Sequence, residues 1–289
     1  DLLISSGTIK LTVSIAGIIY LVANVTADYN IFEGVKADYS NWLDFCKNLE
    51  KKYPLVLKEW KKAKDPVNSY NFIDFLSEKL KGDDVIITDM GVAFTGTHQT
   101  FRVKEGQRFY TNSGFASMGW GLPAAVGACF GSGKKRTICV VGEGGLLMTV
   151  QEMATIMHHR LPVKLFIFNN GGYLTIKQTQ ELGFEGRYMG IDEESGLSFP
   201  DFMKIAEAYR FKGVRLTSHE NLKKQIEGIM DYDGPVICEI MMDTNQMQAP
   251  KAVNRRNADG TMKQTPLEDS YPFLDPAEIE ENLGILNKI

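Results

Sequence analysis

Two short glycine-rich stretches carry the residue types that could do chemistry. Gly142-Glu143-Gly144-Gly145 closes the apolar run TICVVG, and Asn169-Asn170-Gly171-Gly172 closes the apolar run VKLFIFNN. Glycines at a strand-to-helix turn let backbone N–H groups approach an anion closely, as a diphosphate requires. Glu143 and Asn170 are hard oxygen donors of the kind that hold Mg2+, which favours octahedral oxygen coordination and bridges protein to phosphate. Alone, each stretch reads as an ordinary strand-ending turn. Taken together, 27 positions apart, Glu143 and Asn170 describe one site for a metal ion and a diphosphate.

The patterning predicts the elements that must position these turns. Asn41 to Lys64 reads as a charged helical stretch ending at Asp65-Pro66, where a linker is expected. Beyond it, Tyr70 to Lys81 reads as an amphipathic helix and VIITD (85–89) as a buried strand. A loop containing Gly96 and Gly106 then leads to Phe109-Tyr110 and the glycine-rich NSGFASMGWGLPAAVGA (112–128). TICVVG (137–142) and VKLFIFNN (163–170) read as strands flanking a helix from Leu146 to His158. A polar loop follows, then a helix from Phe199 to Tyr209, a strand at 211–216, a helix from Asn221 to Met230 and a last strand at 235–242. Strands with few polar positions, alternating with helices, predict an α/β fold in three layers: a doubly wound, mainly parallel sheet covered on both faces. Ligands bind such sheets at the carboxyl ends of the strands, where both glycine turns fall.

Composition narrows the partners. The 289 residues are 44% hydrophobic and 24% charged, which suits a globular chain with a real core. A net charge of −4 with no basic patch argues against nucleic acid. Cys46, Cys129, Cys139 and Cys238 have no CxxC spacing, so buried thiols in a reducing cytoplasm are expected rather than disulfides or zinc. Leu11 to Val25 has the outline of a signal peptide, but is too short to span a bilayer and reads better as one or two buried strands, so no membrane partner is expected. The opening DLLISSG, a buried-strand pattern without an initiator Met, suggests a fragment of something longer.

On the GEGG and NN motifs, on the surrounding NSGFASMGWGLPAAVGA and LLMTVQEMATIMHHRLPVKLFIFNN, and on the tail TPLEDSYPFL, the chain resembles the thiamine-diphosphate (ThDP) enzymes of the acetolactate synthase large-subunit type. Members of that family carry a motif that begins Gly-Asp-Gly and ends Asn-Asn at about this separation. The resemblance covers about residues 66 to 275. It implies residues 1–64 as the remnant of a central domain plus linker, 65–250 as the diphosphate-binding domain and 251–289 as a tail.

The resemblance implies the ThDP-binding fold, ThDP and Mg2+ as cofactors, and decarboxylation of a 2-oxo acid such as pyruvate with transfer of the two-carbon unit. Glu143, Asn170 and the carbonyl of Gly172 would hold the metal. Gly91, Gly142, Gly144, Gly145 and Tyr173 would line the diphosphate, with Ala116, Ser117 and Met118 at the aminopyrimidine. Met118 would bend the cofactor so that its 4′-amino group meets the thiazolium C2. The family's activating glutamate lies on an N-terminal pyrimidine-binding domain that no segment here resembles. No catalytic residue is therefore expected in this chain, which alone should be inactive. A homodimer or homotetramer is implied. FAD could belong to the full-length protein, with its site outside this chain.

Three departures stand out. Glu143 replaces the usual Asp, which carries the carboxylate about 1.5 Å further out, roughly one bond length. Val92-Ala93 stands where acetolactate synthases place Gln-His, and Thr179 stands where a tryptophan shapes the acceptor pocket, which leaves room for a larger acceptor such as a keto-sugar. A non-catalytic scaffold is one alternative reading. Another is a Rossmann-type oxidoreductase domain, since Gly119-x-Gly121-x-x-Ala124 fits a relaxed dinucleotide fingerprint with Glu143 as its acid. Gly133-Lys134 hints at a P-loop, but Ala128 and Lys135 break that motif. Of the histidines, His98 is a candidate to face the cofactor loop. His158 and His159 read as residues at a helix end, and His219 as a surface residue.

Overall fold

A computed structural model describes residue 38 and residues 40–286, apart from 63, 247, 257 and 258. The strands expected within Leu11–Val25 and DLLISSG lie outside the described residues. The chain divides into two compact units, residues 56–248, and the described parts of 1–55 together with 249–289.

The larger unit is built on six strands: β1 (Val85–Thr88), β2 (Arg108–Thr111), β3 (Thr137–Gly142), β4 (Val163–Asn169), β5 (Lys212–Leu216) and β6 (Val236–Met241). Their order across the sheet is β2-β1-β3-β4-β6-β5, and every neighbouring pair is parallel. Strict alternation divides the core in two. Ile86, Ile138, Val140, Phe166 and Cys238 face one side, where they pack with Leu76, Val92 and Ile226. Val85, Ile87, Cys139, Val141, Leu165 and Ile237 face the other, with Leu122, Met153, Ile156 and Phe202. Buried on both faces, the central strands have no need of polar residues, which is why they read as unbroken apolar runs.

Helices complete the two outer layers. On the first face lie α3 (Ser69–Lys79), α4 (Val92–Thr100) and α10 (Leu222–Asp231); on the second lie α5 (Gly121–Gly131), α7 (Glu152–His159) and α9 (Phe202–Ala208). The step from β1 to β2 runs over the first face and that from β3 to β4 over the second. The chain thus leaves β1 and β3, which are neighbours, in opposite directions. That is a topological switch point, where a crevice opens beyond the strand ends. It is the place in the fold where a ligand is best accommodated.

Four local expectations need correction. The stretch 41–64 is not one helix: α1 (Ser40–Lys52) stops before Pro54 and α2 (Lys58–Lys62) starts afresh, since proline lacks the N–H that would continue the ladder. Trp60 on α2 stacks on Tyr70 at 5.5 Å, so this segment belongs with the larger unit. The stretch 146–158 is broken as well, into α6 (Glu143–Met148) and α7. The supposed loop after β1 contains α4 and ends in β2, and the polar loop after β4 begins with α8 (Leu174–Phe184). The smaller unit contains α1, an antiparallel pair β7 (Asn254–Arg256) and β8 (Met262–Gln264), and α11 (Pro276–Leu286), on which Glu278 pairs with Lys52 at 3.0 Å. No helix among the described residues is long and apolar enough to cross a membrane.

Candidate cofactor site

Three strand ends converge at the switch point. β3 ends at Gly142 and α6 starts at once, so Glu143 is the first helical residue and is 1% exposed. Its Oε1 accepts the backbone N–H groups of Asn170 (3.1 Å) and Gly172 (2.9 Å), tying the end of β3 to the turn after β4. The extra methylene of Glu143, compared with Asp, is what this carboxylate uses to reach across to the neighbouring turn. Burial pushes its carboxyl up to about 7, against the opposing effect of these N–H groups. A carboxylate so poised gains from a cation beside it.

Asn170 supplies the complementary observation. It is buried, and its side-chain Oδ1 has no hydrogen-bond partner. An orphaned buried acceptor costs on the order of 1–3 kcal/mol, so it is tolerated best where a ligand satisfies it. Glycine at position 172 is dictated by space, because a Cβ there would stand 2.0 Å from the carbonyl oxygen of Ile191. At Gly144 a Cβ would meet Cε1 of Tyr173 at 2.2 Å, and at Gly145 it would meet Oδ2 of Asp89 at 2.0 Å.

Asp89, at the end of β1, is the third corner and escaped the reading of the sequence. It is 1% exposed, and its carboxylate accepts N–H groups from Gly119 (3.0 Å) and Gly121 (3.2 Å). The signal that could have exposed it is an acid directly after four fully buried strand residues, at the ligand edge of the sheet. Through these bonds Asp89 anchors the loop 112–120, in which Ala116 adopts a left-handed φ of 54° that a residue with a Cβ seldom takes up. Asp89 also occupies the amides that a dinucleotide fingerprint would offer to a pyrophosphate. β2 ends at Thr111, so no strand runs into Gly119 either. The geometry does not support the Rossmann reading.

The crevice has a volume of about 80 Å3 and opens to the surface. Of the residues expected from the sequence, it brings together Gly91, Met118, Gly142, Glu143, Gly144, Gly145, Asn170, Gly172 and Tyr173. Val92, one of the two departures on the expected diphosphate-facing loop, lines it as well, and Thr175 and Ile176 join them unforeseen. Ala116 and Ser117 are exposed and lie outside this lining, because the loop turns outward before Met118 returns. Ala93 is buried in the core. Thr179 is exposed on α8 and donates to the carbonyl of Thr175. His98 is not at the crevice: it packs between Phe94 (4.2 Å) and Phe109 (5.0 Å), and burial lowers its pKa. His158 and His159 lie at the end of α7, as expected. His219 is not a simple surface residue, since its Nε2 accepts the N–H of Asn68 at 2.9 Å. Among the described residues no three His, Cys, Asp or Glu side chains cluster as a metal site. A metal here would depend on mixed carboxylate, amide and backbone oxygens, the donor set that suits Mg2+.

Fold and crevice together define a doubly wound α/β domain whose ligand edge is made of glycine turns and buried oxygen donors. Residues 89–240 match the family model described as "Thiamine pyrophosphate enzyme, C-terminal TPP binding domain", and the chain belongs to that family. It is 31% identical over 205 residues to an acetolactate synthase large subunit from Cyanidium caldarium, covering 71% of this chain and 34% of that protein. With the chloroplastic acetolactate synthase 2 of Nicotiana tabacum the identity is 29% over 220 residues, 75% of this chain and 33% of the relative. A solved benzoylformate decarboxylase from Polynucleobacter necessarius shares the fold, with a TM-score of 0.56 and 22% identity over 62% of this chain and 34% of that one. The chain is thus a ThDP-enzyme domain similar to acetolactate synthases, and it spans about a third of the length of these relatives.

Proposed function

We propose that this chain is the diphosphate- and Mg2+-binding portion of an enzyme that decarboxylates a 2-oxo acid, pyruvate in the first instance, and transfers the two-carbon unit. The observation that carries the reading is the pairing of a buried, partnerless Asn170 Oδ1 with the buried Glu143 across the mouths of β3 and β4. Bound ThDP supplies the electron sink that decarboxylation of a 2-oxo acid needs. Asn170 Oδ1, the Gly172 carbonyl and the carboxylate of Glu143 are the ligands this chain would offer to Mg2+. Gly144 and Gly145 bring backbone, rather than side chains, up to the diphosphate. Met118, on the loop anchored by Asp89, orients the pyrimidine end, while Phe168, Leu174 and Ile176 keep water from the crevice. From the family resemblance, we assign protonation of the aminopyrimidine to a glutamate on a pyrimidine-binding domain outside these 289 residues, contributed within a homodimer or homotetramer. This chain alone would then be inactive. Free Cys46 and the buried free thiols Cys129, Cys139 and Cys238 support a reducing, cytoplasmic location.

The test is Mg2+-dependent ThDP binding, followed through the fluorescence of Trp120, two residues beyond Met118. Asn170→Leu should weaken binding at least about tenfold, as expected when a metal ligand is removed. Equal binding by wild type and N170L, or binding indifferent to Mg2+, would contradict the assignment and favour a non-catalytic scaffold.

A further inference from the structure

Glu239 stands within β6, in the apolar run Val236–Met241, and is 2% exposed. A carboxylate inside an apolar strand is costly unless its oxygens are occupied, and here both are. Oε2 accepts Nε of Arg215 at 2.6 Å, and Arg215 also donates to Asp201 at 2.8 Å. Oε1 accepts Nδ2 of Asn169 at 2.7 Å. The opposite end of the Asn169 side chain, Oδ1, accepts the N–H of Gly171 at 3.1 Å, and its main-chain carbonyl accepts the N–H of Met242 at 2.8 Å. The register makes this possible. Glu239 is opposite Ile167 on β4, so Glu239 and Asn169, two residues along, point to the same face of the sheet.

We propose that Glu239 is a positioning residue for the turn Asn169–Gly172. Held by Arg215, it fixes which way round the Asn169 amide lies. That amide in turn fixes the N–H of Gly171, and so holds the turn in which the N–H groups of Asn170 and Gly172 reach Glu143 Oε1. The inference rests on the reading that Asn170 holds Mg2+ with the diphosphate. It goes beyond that reading by placing control of the site on β6, one strand in from the edge strand β5, in a residue outside the crevice lining. Partners that orient metal ligands typically matter about 10- to 100-fold in metal affinity.

The experiment compares wild type, Glu239→Gln and Asp84→Asn. Asp84 pairs with Arg136 (2.7 and 2.6 Å) at the amino-terminal end of β1, so D84N is a control for stability lost far from the site. Two quantities are read: amide exchange at Gly171 in the ligand-free protein, and the Mg2+ midpoint for binding at saturating ThDP. E239Q should speed Gly171 exchange and raise the Mg2+ midpoint about tenfold or more, and D84N should lower the melting temperature while moving neither. If E239Q behaves like D84N, Glu239 is only a core ion-pair partner and the proposal is overturned. If Gly171 exchange responds but wild type shows no Mg2+-dependent binding, the metal reading fails and takes the proposal with it.

Discussion

Asp89 Oδ2 accepts the N–H of Gly119 at 3.0 Å, and the same oxygen would stand 2.0 Å from a Cβ added at Gly145. One carboxylate thus holds the loop that presents Met118 while lying against the turn that would receive a diphosphate. The contact is possible only because residue 145 has no side chain.

Asp89→Ala should therefore cost more than an ordinary buried substitution. It leaves the N–H groups of Gly119 and Gly121 unsatisfied in a buried site, a loss of roughly 3 kcal/mol at about 1–3 kcal/mol per group. Asp89→Asn, which retains one acceptor oxygen, should lose less. Urea unfolding at neutral pH gives both values, and a cost for D89A of less than about 1 kcal/mol would show that the loop is anchored elsewhere.

Gly145→Ala should reproduce much of that loss by pushing the Asp89 carboxylate aside, and the double variant should lose less than the sum, because both changes break one contact. Gly127 is the control. It lies on α5, where a methyl group added to it would meet nothing within 4 Å, so Gly127→Ala should be neutral or stabilising by up to about 1 kcal/mol. Thermal unfolding of the wild type and these variants is sufficient, and strict additivity would separate Gly145 from Asp89.

The raised pKa of Glu143 contributes to the pH dependence of the ligand-free protein, in the same sense as that of Asp89 and against that of His98. The group binds its proton more tightly when folded, at about 7, than at its ordinary 4.5. Between those values the folded state holds the extra proton, so stability falls as pH rises and then levels off above 7. The full loss is roughly 3 kcal/mol, from a difference of about 2.5 units at about 1.36 kcal/mol each. Glu143→Gln should flatten this window. Binding of Mg2+ with ThDP, which needs the carboxylate, should release a proton and be tighter at pH 8 than at pH 6. Denaturant midpoints across pH 5–8 check the first statement and calorimetry in two buffers the second. A Glu143→Gln profile parallel to that of the wild type through this window would contradict the first, and binding no tighter at pH 8 than at pH 6 the second.

The parts of the fold that could be read in the sequence are those whose burial is uniform. β3 and β4 are walled on both faces, so their composition alone marks them, and the two glycine turns fall at their ends by necessity. α4 was hidden because VAFTGTHQT is rich in Thr and Gly and poor in intrinsic helix preference. Packing against β1 and α3 holds it helical. α8 was hidden by its polar surface, and its fixed points, buried Leu174 and Gln178, are too few to make a stripe. Glu143 and Asn170 could be paired because their spacing is fixed by one strand–helix–strand unit. Asp89 and Glu239 were not legible, because no fixed motif spacing marks their partners, which lie 24 to 70 positions away in the chain.

The most direct test of the central claim is the melting temperature of this chain with Mg2+ plus ThDP, beside Mg2+ alone and NAD+. A ligand at about 100 times its Kd adds about 2.7 kcal/mol to the folded state. The account predicts a rise of several degrees with Mg2+ and ThDP together, lost in N170L, and none with NAD+. A rise with NAD+, or a ThDP response that persists without Mg2+ and in N170L, would contradict it.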